Sequence, residues 1–112
     1  MASDYHISKA TKFWKETGVG TNAGVTVTHT GVTGRVSVCQ KIDLSGDLAA
    51  LVTVESPAAT ILWRKRYTAA YQDSVSFPNG CYIGTSGGDL LVKISASTLN
   101  CEANIAGYEI VG

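Results

Sequence analysis

The two histidines, His6 and His29, are the residues of this chain best suited to acid–base chemistry near neutral pH. A hydrolytic triad needs a histidine beside a nucleophile and an orienting carboxylate, and no Gly-x-Ser-x-Gly motif places a serine for that role. The acidic residues fall mostly in predicted turns and at strand ends, where hydration accounts for them. The sequence therefore predicts two surface or edge histidines and no enzyme activity.

Two short segments loosely match cofactor-binding or metal-binding motifs. Gly18-x-Gly20-x-x-Ala23 is similar to a dinucleotide-binding fingerprint, but no predicted strand precedes it and β-branched residues follow. The run Asp43-x-Ser45-x-Asp47 is similar to the start of a calcium loop, but Leu48 replaces the required glycine and the bidentate glutamate is missing. We interpret the first as a linker and the second as a turn, and we expect no cofactor; a weak structural cation at the turn stays open.

The segment 63–67, Trp-Arg-Lys-Arg-Tyr, is the sharpest local signal. On a strand, Trp63 and Tyr67 share one face with Lys65, while Arg64 and Arg66 share the other. Aromatic and basic residues in this arrangement suit single-stranded nucleic acid, a protein interface, or an edge strand protected by charge. The formal net charge of zero argues against nucleic acid. A protein interface is the favoured interpretation, with edge protection as the alternative.

The three cysteines, Cys39, Cys81 and Cys101, are too widely spaced for a Cys-x-x-Cys metal or redox site. Cys39 lies in an alternating apolar segment, which predicts a buried thiol that packs as a small hydrophobic side chain. A disulfide between Cys81 and Cys101 in an oxidising compartment stays open.

The composition points to association. Hydrophobic residues make up 45% of the chain and charged residues 16%, against about 25% charged in typical soluble domains. A composition this apolar predicts exposed apolar surface on the monomer, and an oligomer interface is the simplest way to bury that surface. No apolar run approaches the roughly 20 residues that span a bilayer, and the first residues do not resemble a secretory signal. We expect a protein made in the cytoplasm, with no membrane partner.

From residue 23 onward, alternating segments separated by Gly, Pro, Ser and Asn predict an all-β antiparallel sandwich. The predicted strands lie near 25–30, 35–44, 48–55, 60–67, 74–77, 81–83, 90–97 and 104–111. Pro78-Asn79-Gly80 carries the Asn-Gly signal of a hairpin turn. About eight strands at this spacing favour an eight-stranded jelly roll, with another Greek-key sandwich as the alternative.

Residues 1–22 differ from the rest and are predicted to form an N-terminal arm and linker, leaving 23–112 as the sandwich domain. The arm is either a short helix near residues 8–16 or an extended segment. Its aromatic residues, Tyr5, Phe13 and Trp14, are costly to leave in water, so they are expected to pack on the domain or on a neighbour. Deletion of residues 1–17 is expected to leave the sandwich folded and to weaken assembly. The residues predicted to form an interface are Tyr5, Phe13, Trp14, Trp63, Arg64, Arg66 and Tyr67.

The segments 91–97, Leu-Val-Lys-Ile-Ser-Ala-Ser, and 104–108, Asn-Ile-Ala-Gly-Tyr, together with the size and the aromatic N-terminal segment, resemble small β-sandwich proteins of tailed-phage virions. These are capsid decoration or cement proteins and the jelly-roll modules of head or tail fibres. The resemblance implies a non-enzymatic structural protein of the virion, made in the host cytoplasm. It also implies a homotrimer that contacts the major capsid protein or another virion protein, and it carries over no catalytic residue.

Two other functional classes stay open. A receptor-binding or carbohydrate-binding module of a phage fibre would need exposed aromatics beside Asn or Asp, which segments 71–73 and 79–82 offer. A small enzyme with an unrecognised site is the third class.

Overall fold

The computed structural model describes residues 10–21, 23–57, 59–82, 86–95 and 100–111. Within these ranges there is no helix, and therefore none that could span a membrane. The described residues form eight strands, which in chain order are β1 (Ala10–Gly20), β2 (Val25–His29), β3 (Arg35–Gly46), β4 (Ala50–Glu55), β5 (Ile61–Tyr67), β6 (Tyr71–Cys81), β7 (Leu90–Ser95) and β8 (Cys101–Val111).

The strands form two four-stranded antiparallel sheets, with the orders β1-β8-β3-β6 and β2-β7-β4-β5. Strand β1 pairs with β8, β2 with β7, β3 with β6 and β4 with β5. The first strand thus pairs with the last, the second with the second-last, and so on to the middle of the chain. The chain is in effect one long hairpin folded into two layers. This is the jelly-roll arrangement, and the predicted all-β sandwich is confirmed.

The prediction that the strands begin after residue 22 is wrong. Residues Ala10–Gly20 form β1, which pairs with β8 from Ala10↔Ile110 to Gly20↔Cys101. Of the two predicted conformations, the extended one is confirmed over Ala10–Gly20 and the short helix is wrong, because pairing with a strand about 90 residues later outweighs the weak local helix signal. The segment is not a separate arm, since it is a strand of the sandwich. Residues 1–9 of the predicted arm, including Tyr5, lie outside the described residues.

The predicted hairpin at Pro78-Asn79-Gly80 is also wrong, because these residues lie inside β6. Ser76 is opposite Lys41 on β3, and Cys81 is opposite Cys39, so residues 77–80 bulge where β3 contributes a single residue. Gly80 has a φ of +77°, which glycine adopts at little cost. The chain therefore bends locally and continues along the same partner strand instead of reversing.

The main core fills the space between the sheets. Alternate side chains of both sheets point inward, and Val52, Val54, Leu90 and Val92 have no exposed surface. The other members of this core are Trp14, Val27, Cys39, Ile42, Leu44, Ala50, Ile94, Cys101, Ala103 and Ile105.

A second, smaller apolar cluster lies on the outer face of the β1-β8-β3-β6 sheet. It consists of Val36, Val38, Tyr108 and Ile110, with Tyr82 packed against it. The β6 bulge reaches this cluster, because a Cβ added to Gly80 would lie 2.5 Å from Val38 Cγ1 and 3.3 Å from the Tyr108 hydroxyl. The bulge is thus part of the cover over this outer face.

Candidate functional site

The most elaborate polar arrangement in the described chain is a buried cluster around His29. His29 is the last residue of β2, and its side-chain Nδ1 lies 3.0 Å from Glu16 Oε2 on β1. Its Nε2 lies 2.8 Å from Glu109 Oε2 on β8. Arg35 at the start of β3 donates to the other oxygen of Glu109 across 3.1 Å. The three consecutive strands β1, β2 and β3 are thereby joined to the distant strand β8 through one imidazole, two carboxylates and one guanidinium.

The environment of the cluster is aromatic and largely dry. The Trp14 indole stacks on the His29 ring with centroids 4.0 Å apart and planes 5° apart. Glu109 is fully buried. Burial raises the pKa of its carboxyl, but hydrogen bonds from His29 and Arg35, with the nearby charges of His29 and Lys12, outweigh burial and hold that pKa below its usual value. The carboxylate form is therefore part of the native state.

This geometry does not suit nucleophilic catalysis. A general base must keep one ring nitrogen free for a serine or cysteine, and both nitrogens of His29 already contact carboxylates. Of the predicted surface or edge position of His29, the edge is confirmed, since His29 is the last residue of the edge strand β2, and surface exposure is wrong, since His29 is 7% exposed. Its two partners are 13 and 80 residues away, and no local pattern reveals that the fold brings them together. His6 lies outside the described residues.

The predicted turn at Asp43-x-Ser45-x-Asp47 lies partly in a strand. Asp43 and Ser45 belong to β3, and Asp43 accepts a hydrogen bond from Ser74 on β6. Over the described ranges, no three His, Cys, Asp or Glu side chains are grouped to hold a metal ion. The motif therefore belongs to the polar outer face of a sheet.

The aromatic side of β5 closes one open edge between the two sheets. Trp63 packs edge-on against Phe77, with centroids 5.9 Å apart, and Tyr67 stacks on Tyr71 at 4.3 Å. Tyr67 also donates to Asp73 across 2.6 Å. That hydrogen bond, with the Lys65 ammonium 3.2 Å away, holds the pKa of Asp73 below its usual value. Trp63 and Tyr67 are therefore half-buried in their own domain.

The opposite side of β5 faces solvent. Arg64 and Arg66 are exposed, and neither guanidinium has a hydrogen bond or ion pair with the described part of the chain. Arg64 and Lys93 both lie opposite Thr53 on β4, one on each side. The outer face of the β2-β7-β4-β5 sheet thus carries a short row of cations, of which Lys93 lies 3.9 Å from Glu55.

The outer face of the β1-β8-β3-β6 sheet carries a shallow groove with Phe13 at one end. Three adjoining depressions of about 350, 320 and 360 Å³ form it. The first is lined by Phe13 and Ala106, the middle one by Ala106 and Asn104, and the last by Asn104 and Glu102. Polar side chains thus continue across the sheet from an aromatic ring that is 62% exposed.

The structure separates the predicted interface residues into two groups. Phe13, Arg64 and Arg66 are exposed, and Tyr5 lies outside the described residues. Trp14, Trp63 and Tyr67 pack within the domain. Assigning Trp14 to a neighbour was wrong, because the missing side chain of Gly107 opens a space that its indole occupies; a Cβ there would lie 2.7 Å from Trp14 Cζ2.

Comparison of the chain with known proteins adds no assignment, since neither a protein-family model nor a curated protein matches it.

Proposed function

We propose that this chain is a non-enzymatic structural protein of a phage virion, an oligomeric capsid decoration or cement protein that contacts the major capsid protein. The observation that carries the proposal is the outward face of β1. Phe13 and Val19 lie on the outer face of this edge strand and are 62% and 65% exposed, with the Phe13 ring 6.0 Å from the Tyr108 ring. Trp14, directly beside Phe13, is buried. The chain thus places apolar side chains at a sheet edge after its own core is filled.

Edge strands present unpaired backbone groups and are natural sites for pairing with another chain. A phenylalanine side chain buries about 150–250 Å² when fully enclosed. Covering the exposed part of Phe13 at about 25 cal/mol per Å² would therefore contribute about 3 kcal/mol per subunit contact. A formal net charge of zero adds little repulsion between copies. Self-association into a trimer, followed by contact with the capsid subunit, is consistent with these features.

The first experiment measures the mass of the full chain in solution by light scattering. A stable trimer supports the proposal, and a monomer at micromolar concentration favours a recognition module. Replacement of Phe13 by Ser should shift the mass toward the monomer. The matched control is Ile61→Ser, since Ile61 is 51% exposed on the edge strand of the other sheet. Equal loss of association in both variants would contradict the assignment of β1.

The second experiment places the protein in a particle. Quantitative mass spectrometry of purified particles of the phage that encodes the chain should find it at a fixed ratio to the major capsid protein. A chain that is absent from the particles would overturn the proposal, whatever its mass in solution.

The groove on the outer face of the β1-β8-β3-β6 sheet favours one alternative, a carbohydrate-binding or receptor-binding module of a phage fibre. Sugars bind by stacking on an aromatic ring and by hydrogen bonds to planar polar side chains. Phe13 offers the ring, and Gln72, Glu102 and Asn104 offer the polar groups. Tyr71 is less suitable as a platform because it stacks on Tyr67.

A glycan array tests this alternative. Clear hits that disappear in Asn104→Ala and persist in Thr28→Ala, together with absence from capsids, would favour the recognition module. Thr28 is a suitable control because it is exposed on the other sheet. An array without hits would support the structural role.

A further inference from the structure

We infer that Cys39 and Cys81 form an intramolecular disulfide when the folded protein meets a low-molecular-weight disulfide oxidant. The two residues are directly opposite each other on the antiparallel strands β3 and β6. Opposed residues in such a pair have Cα atoms about 4.5–5.5 Å apart. Disulfides need about 4.4–6.8 Å. The backbone register therefore already satisfies the main distance requirement.

The side chains also point the same way. Cys39 belongs to the main core between the sheets, and Cys81 packs against that core. Directly opposed residues of a sheet share a face, so the two thiols lie on one side of it. Both are free thiols in this structure.

The pairing left open by the sequence, Cys81 with Cys101, does not fit. Cys101 lies opposite Gly46 on β3, and Cys81 lies opposite Cys39 on the same strand. Seven residues of strand separate these positions, or about 23 Å at 3.3 Å per residue. A disulfide tolerates about 7 Å between Cα atoms. The Cys101 thiol is instead directed at the Ala23 carbonyl oxygen, 3.6 Å away.

The reaction is two successive thiol–disulfide exchanges. The Cys81 thiolate attacks one sulfur of oxidised glutathione and releases one glutathione thiolate. The Cys39 thiolate then attacks the Cys81 sulfur of the mixed disulfide and releases the second. The protein loses two protons and two electrons, and two molecules of glutathione are formed. Cys81 is the first nucleophile because it is half-buried, whereas Cys39 has no exposed surface.

The bond would anchor the β6 bulge. Residues 77–80 leave the regular pairing immediately before Cys81, and Gly80 packs on Val38 and Tyr108. A covalent link from Cys81 to Cys39 on β3 fixes the C-terminal end of this bulge. The inference rests on the β3–β6 register and stands independently of the proposed function.

The experiment treats the full chain with oxidised glutathione at about pH 8.5 and follows the reaction over hours, because burial raises the pKa of Cys81 to about 11 and that of Cys39 to about 12, which leaves little thiolate at this pH. The expected product has lost two hydrogen atoms by intact mass and yields a Cys39–Cys81 cross-linked peptide on mapping. Closing a loop of about 40 residues should stabilise the fold by about 4 kcal/mol, which corresponds to a rise in Tm of about 15 °C. Cys101→Ser should give the same product and the same shift, and Cys81→Ser should give neither.

Three results would overturn the inference: a stable glutathione adduct on Cys81 without the cross-link, a cross-link that contains Cys101, or a cross-linked protein whose Tm does not rise. Mapping the wild-type protein decides between the pairings even if Cys81→Ser folds poorly.

Discussion

Replacement of Trp14 by Ala tests whether β1 is an integral strand of the sandwich. The Trp14 side chain is 7% exposed, stacks on His29 and packs over Gly107. Truncation of a buried aromatic residue to Ala typically costs about 3–5 kcal/mol. The indole Nε1 is buried and has no hydrogen-bond partner among the described residues, so removing it relieves part of this cost. We therefore expect a loss of about 3 kcal/mol in the free energy of unfolding.

That loss is large for a domain of this size. At about 0.05–0.15 kcal/mol per residue, a 112-residue chain has about 6–17 kcal/mol of stability. A loss of about 3 kcal/mol corresponds to a decrease in Tm of about 12 °C. The measurement is urea unfolding followed by tryptophan fluorescence and circular dichroism, with the midpoint and slope fitted for each protein.

Phe13→Ala is the matched control, since it changes the neighbouring aromatic residue on the opposite face of β1. Phe13 is 62% exposed, so only about 40% of its surface is at stake, and we expect a cost of about 1 kcal/mol. Both variants are measured at the same low protein concentration, because association adds concentration-dependent stability. Trp14→Phe, which keeps the stacked ring and removes the unpaired N–H, should cost less than about 1.5 kcal/mol. If Trp14→Ala costs no more than Phe13→Ala, the placement of β1 is refuted.

Gly107→Ala should abolish or severely weaken folding, since its Cβ would lie 2.0 Å from the Val38 carbonyl oxygen. The control is Gly34→Ala, which should lower the free energy of unfolding by about 1 kcal/mol, because Gly34 has a φ of +83° and open space around it. Soluble yield and Tm distinguish the two variants. Glu109→Gln at pH 7 should lower the free energy of unfolding by about 3 kcal/mol, because it removes the buried carboxylate that Arg35 contacts and leaves His29 with Glu16 alone; chemical unfolding measures this loss. The folded-state pKa values of Glu109 and Glu55 lie below the ordinary 4.5. The stability that these two carboxylates add is therefore complete above about pH 4.5 and is lost as the pH falls through their folded-state pKa values. The urea midpoint of the wild-type protein should therefore decrease from pH 7 to pH 3. Over the same range, the difference in urea midpoint between wild type and Glu109→Gln should become smaller. A difference in midpoint that stays constant would contradict the role of the carboxylate.

The sequence alone predicts that deletion of residues 1–17 spares the sandwich. The structure reverses that expectation, because the deletion removes most of β1, uncovers the edge of β8 and takes away both Trp14 and Glu16. The truncated chain should fail to fold cooperatively by circular dichroism and urea titration. A truncated protein with wild-type stability would contradict the assignment of β1 as an integral strand and would support a separate arm.

The sequence by itself determined the all-β class, because two-residue alternation and frequent turn residues are local properties of the chain. It also determined how the side chains of β5 divide between faces, with Trp63 and Tyr67 on one side and Arg64 and Arg66 on the other. That division depends only on the pleat of a strand. It did not determine which of the two faces meets solvent: in the fold, Arg64 and Arg66 are exposed, and Trp63 and Tyr67 are half-buried against the core.

Only the tertiary structure decided the features that depend on distant pairing. Ala10–Gly20 is a strand because β8 supplies its hydrogen-bond partners, and Pro78-Asn79-Gly80 is a bulge because β3 continues past it. The same long-range register brings His29 between Glu16 and Glu109 and sets Cys39 opposite Cys81. A local pattern specifies the conformation of a segment and the faces of its side chains. The neighbour across a sheet is chosen by the burial and hydrogen bonding of the whole chain.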